Sequence, residues 1–82
     1  MSVAAEVRRF IRTELLAGAH VEGDPFTAQL LDSLAVEQLV AFLEERYGIR
    51  FEDHEVVAEN FASVSAVSAL VTAKRRRART AR

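Results

Sequence analysis

Ser33, in the run Leu30-Leu31-Asp32-Ser33-Leu34, is the hydroxyl best placed to do chemistry. It stands just ahead of a periodic apolar stretch, Val36, Leu39, Val40, Leu43 and Tyr47, whose spacing predicts an amphipathic helix. The first-turn N–H groups of such a helix lack intrahelical partners and carry the positive end of its dipole. An anionic group esterified to the Ser33 oxygen would therefore be stabilised where it is attached. A simpler use competes, with Asp32 or Ser33 serving only as the N-cap. Other constellations are weaker. The chain has no cysteine, which removes thiol nucleophiles, disulfides and zinc–thiolate clusters, so any thiol chemistry must be imported. His20 and His54 are isolated, and Asp53-His54-Glu55 lacks helical spacing for a metal and reads as the exposed start of a short helix. There is no glycine-rich phosphate loop, and no histidine lies near Ser33 in sequence to build a triad. Neither a catalytic set nor a metal site is expected.

The elements that must hold Ser33 are helical. Val3, Val7, Phe10, Ile11 and Leu15 fall on one stripe, with Arg8, Arg9 and Arg12 off it, until Gly18 supplies a stop. A longer connection follows, with turn chemistry at Gly23, Asp24 and Pro25 and apolar anchors at Phe26, Leu30 and Leu31. The second helix is predicted from about Ser33 to Tyr47, ended by Gly48, and Ile49-Arg50-Phe51 reads as an extended link pinned by its two apolar side chains. A short third helical turn is expected within His54 to Asn60. Ser63 then caps a last helix whose buried stripe is Val64, Val67, Leu70 and Val71, with Ala66, Ala69 and Ala73 allowing close approach of its neighbours. The expected fold is all-α, a small bundle of three main helices plus a short one.

Charge divides the chain. Residues 1–73 hold all twelve acids against five bases, a balance of −7, whereas Lys74, Arg75, Arg76, Arg77, Arg79 and Arg82 follow with no acid among them. A folded domain over 1–73 and a basic, disordered tail over 74–82 are therefore expected. Eighty-two residues leave little room for a deep catalytic cleft, which favours binding or carriage over catalysis. No apolar run is long enough to span a bilayer, and Glu6 ahead of Arg8 and Arg9 breaks the order of a secretory signal, so a soluble cytoplasmic protein is expected.

Taken together, Leu30-Leu31-Asp32-Ser33-Leu34, then Leu39 and Leu43-Glu44-Glu45-Arg46-Tyr47-Gly48-Ile49, then Glu59-Asn60-Phe61-Ala62-Ser63-Val64, resemble an acyl carrier protein of the phosphopantetheine-binding superfamily. The resemblance covers residues 1 to about 73 and rests on the order and separation of the pieces. It implies a four-helix bundle whose Ser33 receives 4′-phosphopantetheine from coenzyme A through a separate phosphopantetheinyl transferase, with Asp32 close to that enzyme's metal. It also implies that the protein is not itself an enzyme, and that its sole thiol lies at the end of the added arm. The other implied partners are an adenylating acyl or aminoacyl ligase and a downstream synthase, transferase or tailoring enzyme. A monomer is expected, with neither membrane nor nucleic acid as partner.

Projected at about 100° per residue, Leu39, Phe42 and Leu43 face inward, with Val36, Val40 and Tyr47 beside them. The opposite ridge carries Leu34, Glu37, Ala41, Glu44 and Glu45. For an arbitrary bundle that is a solvated face; for a carrier it is the surface that a basic groove on a partner would read. Val36 and Val40 are core residues that could also line a slot for cargo. The fatty-acid type of carrier usually has glycine where this chain has Leu30, an acid where it has Ala35, and often glutamate where it has Gln38. The chain is more similar to free-standing carriers of aminoacyl or specialised acyl groups, the D-alanyl carrier type included, and polyketide- or nonribosomal-type metabolism is the expectation. The alternatives are a carrier of fatty acid synthesis, a helical adaptor with Ser33 unmodified, and a nucleic-acid binder acting through its basic end.

Overall fold

The computed structural model describes residues 2–18, 23–28 and 31–80. Among them are three α-helices and no strand: α1 (Val3–Phe10), α2 (Ser33–Tyr47) and α3 (Val64–Thr80). His20, Leu30 and Arg82 lie outside the described residues.

Ser2 caps α1, its Oγ accepting the Ala5 N–H at 3.1 Å. The chain then widens into a π-helical segment, Ile11–Leu15, before it ends. Thr13 accounts for the change locally: its hydroxyl donates to the Arg9 carbonyl at 2.8 Å and competes with the helical ladder there. The Leu16 N–H reaches back to the Ile11 carbonyl at 2.9 Å, and Ala17 and Gly18 turn left-handed at φ 53° and 82°. Gly18 is thus a stop, as its type predicts, but the reversal begins one residue earlier on an alanine.

α2 has the expected limits. Asp32 is the cap, its Oδ1 accepting the Ala35 N–H at 2.8 Å, and left-handed Gly48 closes the far end by donating to the Glu44 carbonyl at 2.9 Å. Ile49 is buried and Phe51 half-buried along the link, as their apolar character requires.

The expected third helix is reduced to turns. A 3₁₀ turn spans Asp53–Glu55, and a separate turn closes where the Asn60 and Phe61 N–H groups donate to the Val57 carbonyl at 3.1 and 3.2 Å. Val56 and Val57 separate the two. Their β-branched side chains resist continuation of the helix, and Val56 leaves it at φ −89°, ψ 71°.

The core is Val7 and Ile11 from the first helix, Leu39 and Leu43 from α2, Val64, Val67 and Val71 from α3, and Ile49 and Phe61 from the connections. α1 and α2 both pack on α3. The radius of gyration, 12.4 Å, is near the ~12 Å expected for a compact chain of this length. Phe42 is half-buried and stacks on Phe10, with ring centroids 4.2 Å apart. Ala66 is half-buried, whereas Ala69 and Ala73 are exposed and so bring no neighbouring helix close.

Two contacts place the connections. Asp24 Oδ1 accepts the Phe26 N–H at 2.9 Å, and its Oδ2 accepts the Val64 N–H at 2.8 Å, tying the long loop to the first turn of α3. Ser63 Oγ shares that cap by accepting the Ala66 N–H at 3.0 Å.

The domain boundary expected at residue 73 requires correction. α3 runs without a break from Val64 to Thr80, through most of the basic segment. Lys74 is drawn into the body because its stem lies along apolar surface while its charge meets a buried acid. Its Nζ is 2.6 Å from Glu55 Oε1 and 5.5 Å from the centre of the Phe51 ring. Arg75 stacks on Tyr47, its guanidinium carbon 4.9 Å from the ring centre. Alanine and arginine are also strong helix formers. The packed unit therefore includes at least Lys74 and Arg75.

Candidate functional site

Ser33 is the first residue of α2, and its neighbour performs the capping. Because Asp32 satisfies the Ala35 N–H, the Ser33 hydroxyl has no structural duty; among the described residues no hydrogen bond uses it, and the residue is exposed. Of the two candidate caps that the sequence offers, Asp32 is the one that caps α2.

Beside Ser33 lies a cleft of about 390 Å³. Leu31, Val36, Val56, Val57, Ala58 and Phe61 form its apolar wall, and Asp32, Ser33 and Glu37 form its polar lip. Among the described residues the exposed large apolar side chains are Leu34 (62%), Val56 (36%) and Val57 (39%). One adjoins Ser33 in sequence and two line its cleft. Among the described residues, the exposure of large apolar side chains is therefore concentrated around one hydroxyl. Of the two valines expected at a slot, Val36 lines the cleft and Val40, half-buried, is not among its walls.

The expected partner face is kept in part. Leu34, Glu37, Ala41 and Glu45 are exposed, as the helical projection requires. Glu44 is not available in the same way: it is half-buried, and its Oε2 accepts the Phe51 N–H at 2.9 Å. The chain reverses at Gly48 and returns past Glu44, so the carboxylate holds the link rather than facing outward. The acidic ridge consists of Glu37 and Glu45.

A second correction concerns Asp53-His54-Glu55. Asp53 and His54 are exposed as expected, but Glu55 is buried. Its Oε1 accepts the Glu52 N–H at 2.9 Å and pairs with Lys74. The backbone hydrogen bond at Glu52 and the Lys74 ammonium hold the Glu55 carboxyl below the ordinary glutamate value. Its own carbonyl accepts Asn60 Nδ2–H at 2.9 Å. Glu55 thus fixes both ends of the 53–60 segment, and with them the Val56-Val57 wall of the cleft.

Sequence reasoning missed Val56, Val57, Asp24, Glu55 and Lys74 as parts of this arrangement. Two adjacent valines in a segment too short to bury both are a signal that could have been used. No local pattern links Asp24 to Val64 or Glu55 to Lys74. Among the described residues no group of His, Cys, Asp and Glu could hold a metal ion, and no helix is long and apolar enough to cross a membrane.

No protein-family model matches the sequence, and no curated protein matches it. The geometry around Ser33 consequently carries the functional reading.

Proposed function

We propose that this chain is a discrete carrier protein that holds an acyl or aminoacyl group as a thioester on a 4′-phosphopantetheine arm attached to Ser33. The observation that carries the proposal is a hydroxyl displayed in the first turn of a helix whose cap is made by the preceding aspartate, with every exposed large apolar side chain among the described residues gathered around it. That surrounding fits the group. The unpaired first-turn N–H groups favour a phosphodiester at Ser33 Oγ, and the apolar cleft is open to the stem of an arm or cargo.

Each residue then has a task. Ser33 supplies the oxygen nucleophile that would attack the pantetheine-side phosphorus of coenzyme A, breaking the pyrophosphate bond and releasing adenosine 3′,5′-bisphosphate, with the base that takes its proton and the metal provided by the transferase. Asp32 fixes the helix start and, as the resemblance implies, would lie close to that metal when the transferase docks. Leu34, Val56 and Val57 offer apolar contact to a docking enzyme, while Glu37, Ala41 and Glu45 present a narrow, mildly acidic ridge to a basic groove. Leu31, Val36 and Phe61 shield cargo from water. When bound, phosphopantetheine supplies the thiol that this cysteine-free chain lacks. Tethering of this kind raises the effective concentration of cargo at each docked partner.

On this reading the three helices and the turns at 53–61 form the acyl-carrier type of four-helix bundle, its third helix shortened to turns. The protein is a cytoplasmic monomer that serves enzymes rather than being one. Its partners are a phosphopantetheinyl transferase, an adenylating ligase and a downstream synthase, transferase or tailoring enzyme, in polyketide- or nonribosomal-type metabolism. The test is intact mass after incubation with coenzyme A and a broad-specificity transferase. Wild type gains one arm and Ser33→Ala gains none; failure of the wild type under conditions that load a known carrier overturns the proposal.

A further inference from the structure

The end of α2 away from Ser33 holds a second arrangement with chemical potential. Ser33 and Tyr47 are fourteen residues apart on one helix, about 21 Å along its axis. Around Tyr47 lies a hollow of about 590 Å³ lined by Val3, Glu6, Arg9, Arg46, Tyr47 and Arg75. Three helices contribute: Glu6 and Arg9 from α1, Arg46 and Tyr47 from α2, Arg75 from α3.

Glu6 is the acid in this hollow, and both its oxygens are engaged by Arg46, at 2.7 Å to Nε and 3.2 Å to a terminal nitrogen. Arg9 and Arg75 have no carboxylate partner within ion-pair distance among the described residues. The lining thus carries three guanidiniums and one carboxylate, a surplus of two positive charges. The guanidinium carbons of Arg46 and Arg75 stand 5.3 and 4.9 Å from the Tyr47 ring centre. The Tyr47 hydroxyl is buried and makes no well-formed hydrogen bond, although the Glu6 carboxylate faces it; burial and that carboxylate push the phenol's pKa up. A buried phenol whose nearest acceptor is already held by Arg46 costs free energy, and the Arg9 and Arg75 guanidiniums in the same hollow have no carboxylate of their own. Long arginine side chains can swing to admit a ligand, and their planar forks match tetrahedral oxyanions.

The geometry points to a binding site for a phosphate-class dianion in this hollow, held by Arg9 and Arg75 with the Tyr47 hydroxyl as a third donor. Arg46, spent on Glu6, positions the ring and sets the field. The inference is independent of the reading of Ser33, since the two regions share no lining residue. The ligand chemistry is a phosphate monoester or inorganic phosphate, free in solution or displayed as a lipid headgroup.

The chain reports on this site directly. Tyr47 is its one tyrosine and there is no tryptophan, so intrinsic tyrosine fluorescence reads the hollow. In the full-length protein at low, matched ionic strength, sodium phosphate should change that fluorescence saturably, with half-effect on the order of 1 mM, whereas sodium chloride should not. The Arg9→Gln/Arg75→Gln variant, altered at two exposed positions, should need at least tenfold more phosphate while keeping its far-UV circular dichroism. Thermal melts give a second readout, with 10 mM phosphate raising the wild-type Tm by about 4–8 °C more than that of the variant. A parallel arm uses vesicles of phosphatidylcholine with and without phosphatidic acid. Co-sedimentation that needs phosphatidic acid, Arg9 and Arg75 supports the site with a lipid-borne ligand. An equal phosphate response in wild type and variant, or no response to either source, overturns the proposal.

Discussion

Lys74 separates a packed helix from a solvated tail more sharply than any other residue. Lys74→Met keeps the stem beside Phe51 and removes the charge that answers Glu55 Oε1 at 2.6 Å. The side chains of the pair are 12% and 11% exposed, well short of the open surface where such pairs contribute about 0–1 kcal/mol. A charge-assisted hydrogen bond contributes about 1.5–3 kcal/mol, and stranding a fully buried charge costs about 3–5 kcal/mol. Glu55 keeps the Glu52 N–H after the change, so a loss of about 2 kcal/mol is expected near neutral pH. In a domain of this size that is about 8–16 °C in Tm. The double variant Glu55→Gln/Lys74→Met should lose less than the two single losses added together, by about 1–2 kcal/mol. The pH sign follows from Glu55, whose folded carboxyl lies below its ordinary value. Its contribution is present above the unfolded glutamate value of about 4.3 and is lost as pH falls through the folded value, so the gap between wild type and Lys74→Met closes in acid. Urea denaturation followed by circular dichroism, at neutral and acid pH, measures all of this. A neutral-pH loss below about 0.5 kcal/mol, or a gap that persists in acid, would refute the pairing as a stabilising contact.

Other outcomes follow from single contacts. Asp24→Ala removes the acceptor for both the Phe26 and Val64 N–H groups and should cost about 1–2 kcal/mol in urea denaturation, more than an ordinary surface change. Ala17→Gly relieves an L-residue held at φ 53° and should raise stability by about 0.5–1 kcal/mol, a gain visible in the same assay. Glu37→Lys/Glu45→Lys alters exposed positions only, so Tm should hold while transferase loading slows, the deficit narrowing as salt rises; an unchanged loading rate at low salt would shift docking onto Leu34, Val56 and Val57.

What the sequence disclosed was whatever is encoded within a few residues. α2 could be read at both ends because a cap at Asp32, an apolar stripe and Gly48 all lie on one continuous stretch. Of the expected stripe, Val64, Val67 and Val71 are buried for the same reason, whereas Leu70 is only half-buried. Contacts between distant segments were illegible. Glu44 looks like a ridge residue until the link after Gly48 folds back on it, and Glu55 looks solvated until Lys74, nineteen residues on, arrives beside it. The basic run misleads because its composition resembles a disordered end, while the Glu55 carboxylate and the Phe51 and Tyr47 rings give its first two residues something to pack on. At Ser33 the sequence offered a hydroxyl at the start of a helix, but its freedom from capping and the apolar rim around it required coordinates.

The central claim is that Ser33 Oγ, and no other oxygen of the chain, is the point of attachment. The chain has five serines: Ser2, Ser33, Ser63, Ser65 and Ser68. Ser2 and Ser63 are occupied as helix caps. Peptide mapping of the wild-type protein after transferase treatment should place a single phosphopantetheine on the peptide containing Ser33 and leave the others bare. An arm found on any other serine, or on none while a control carrier is fully loaded, would contradict the account.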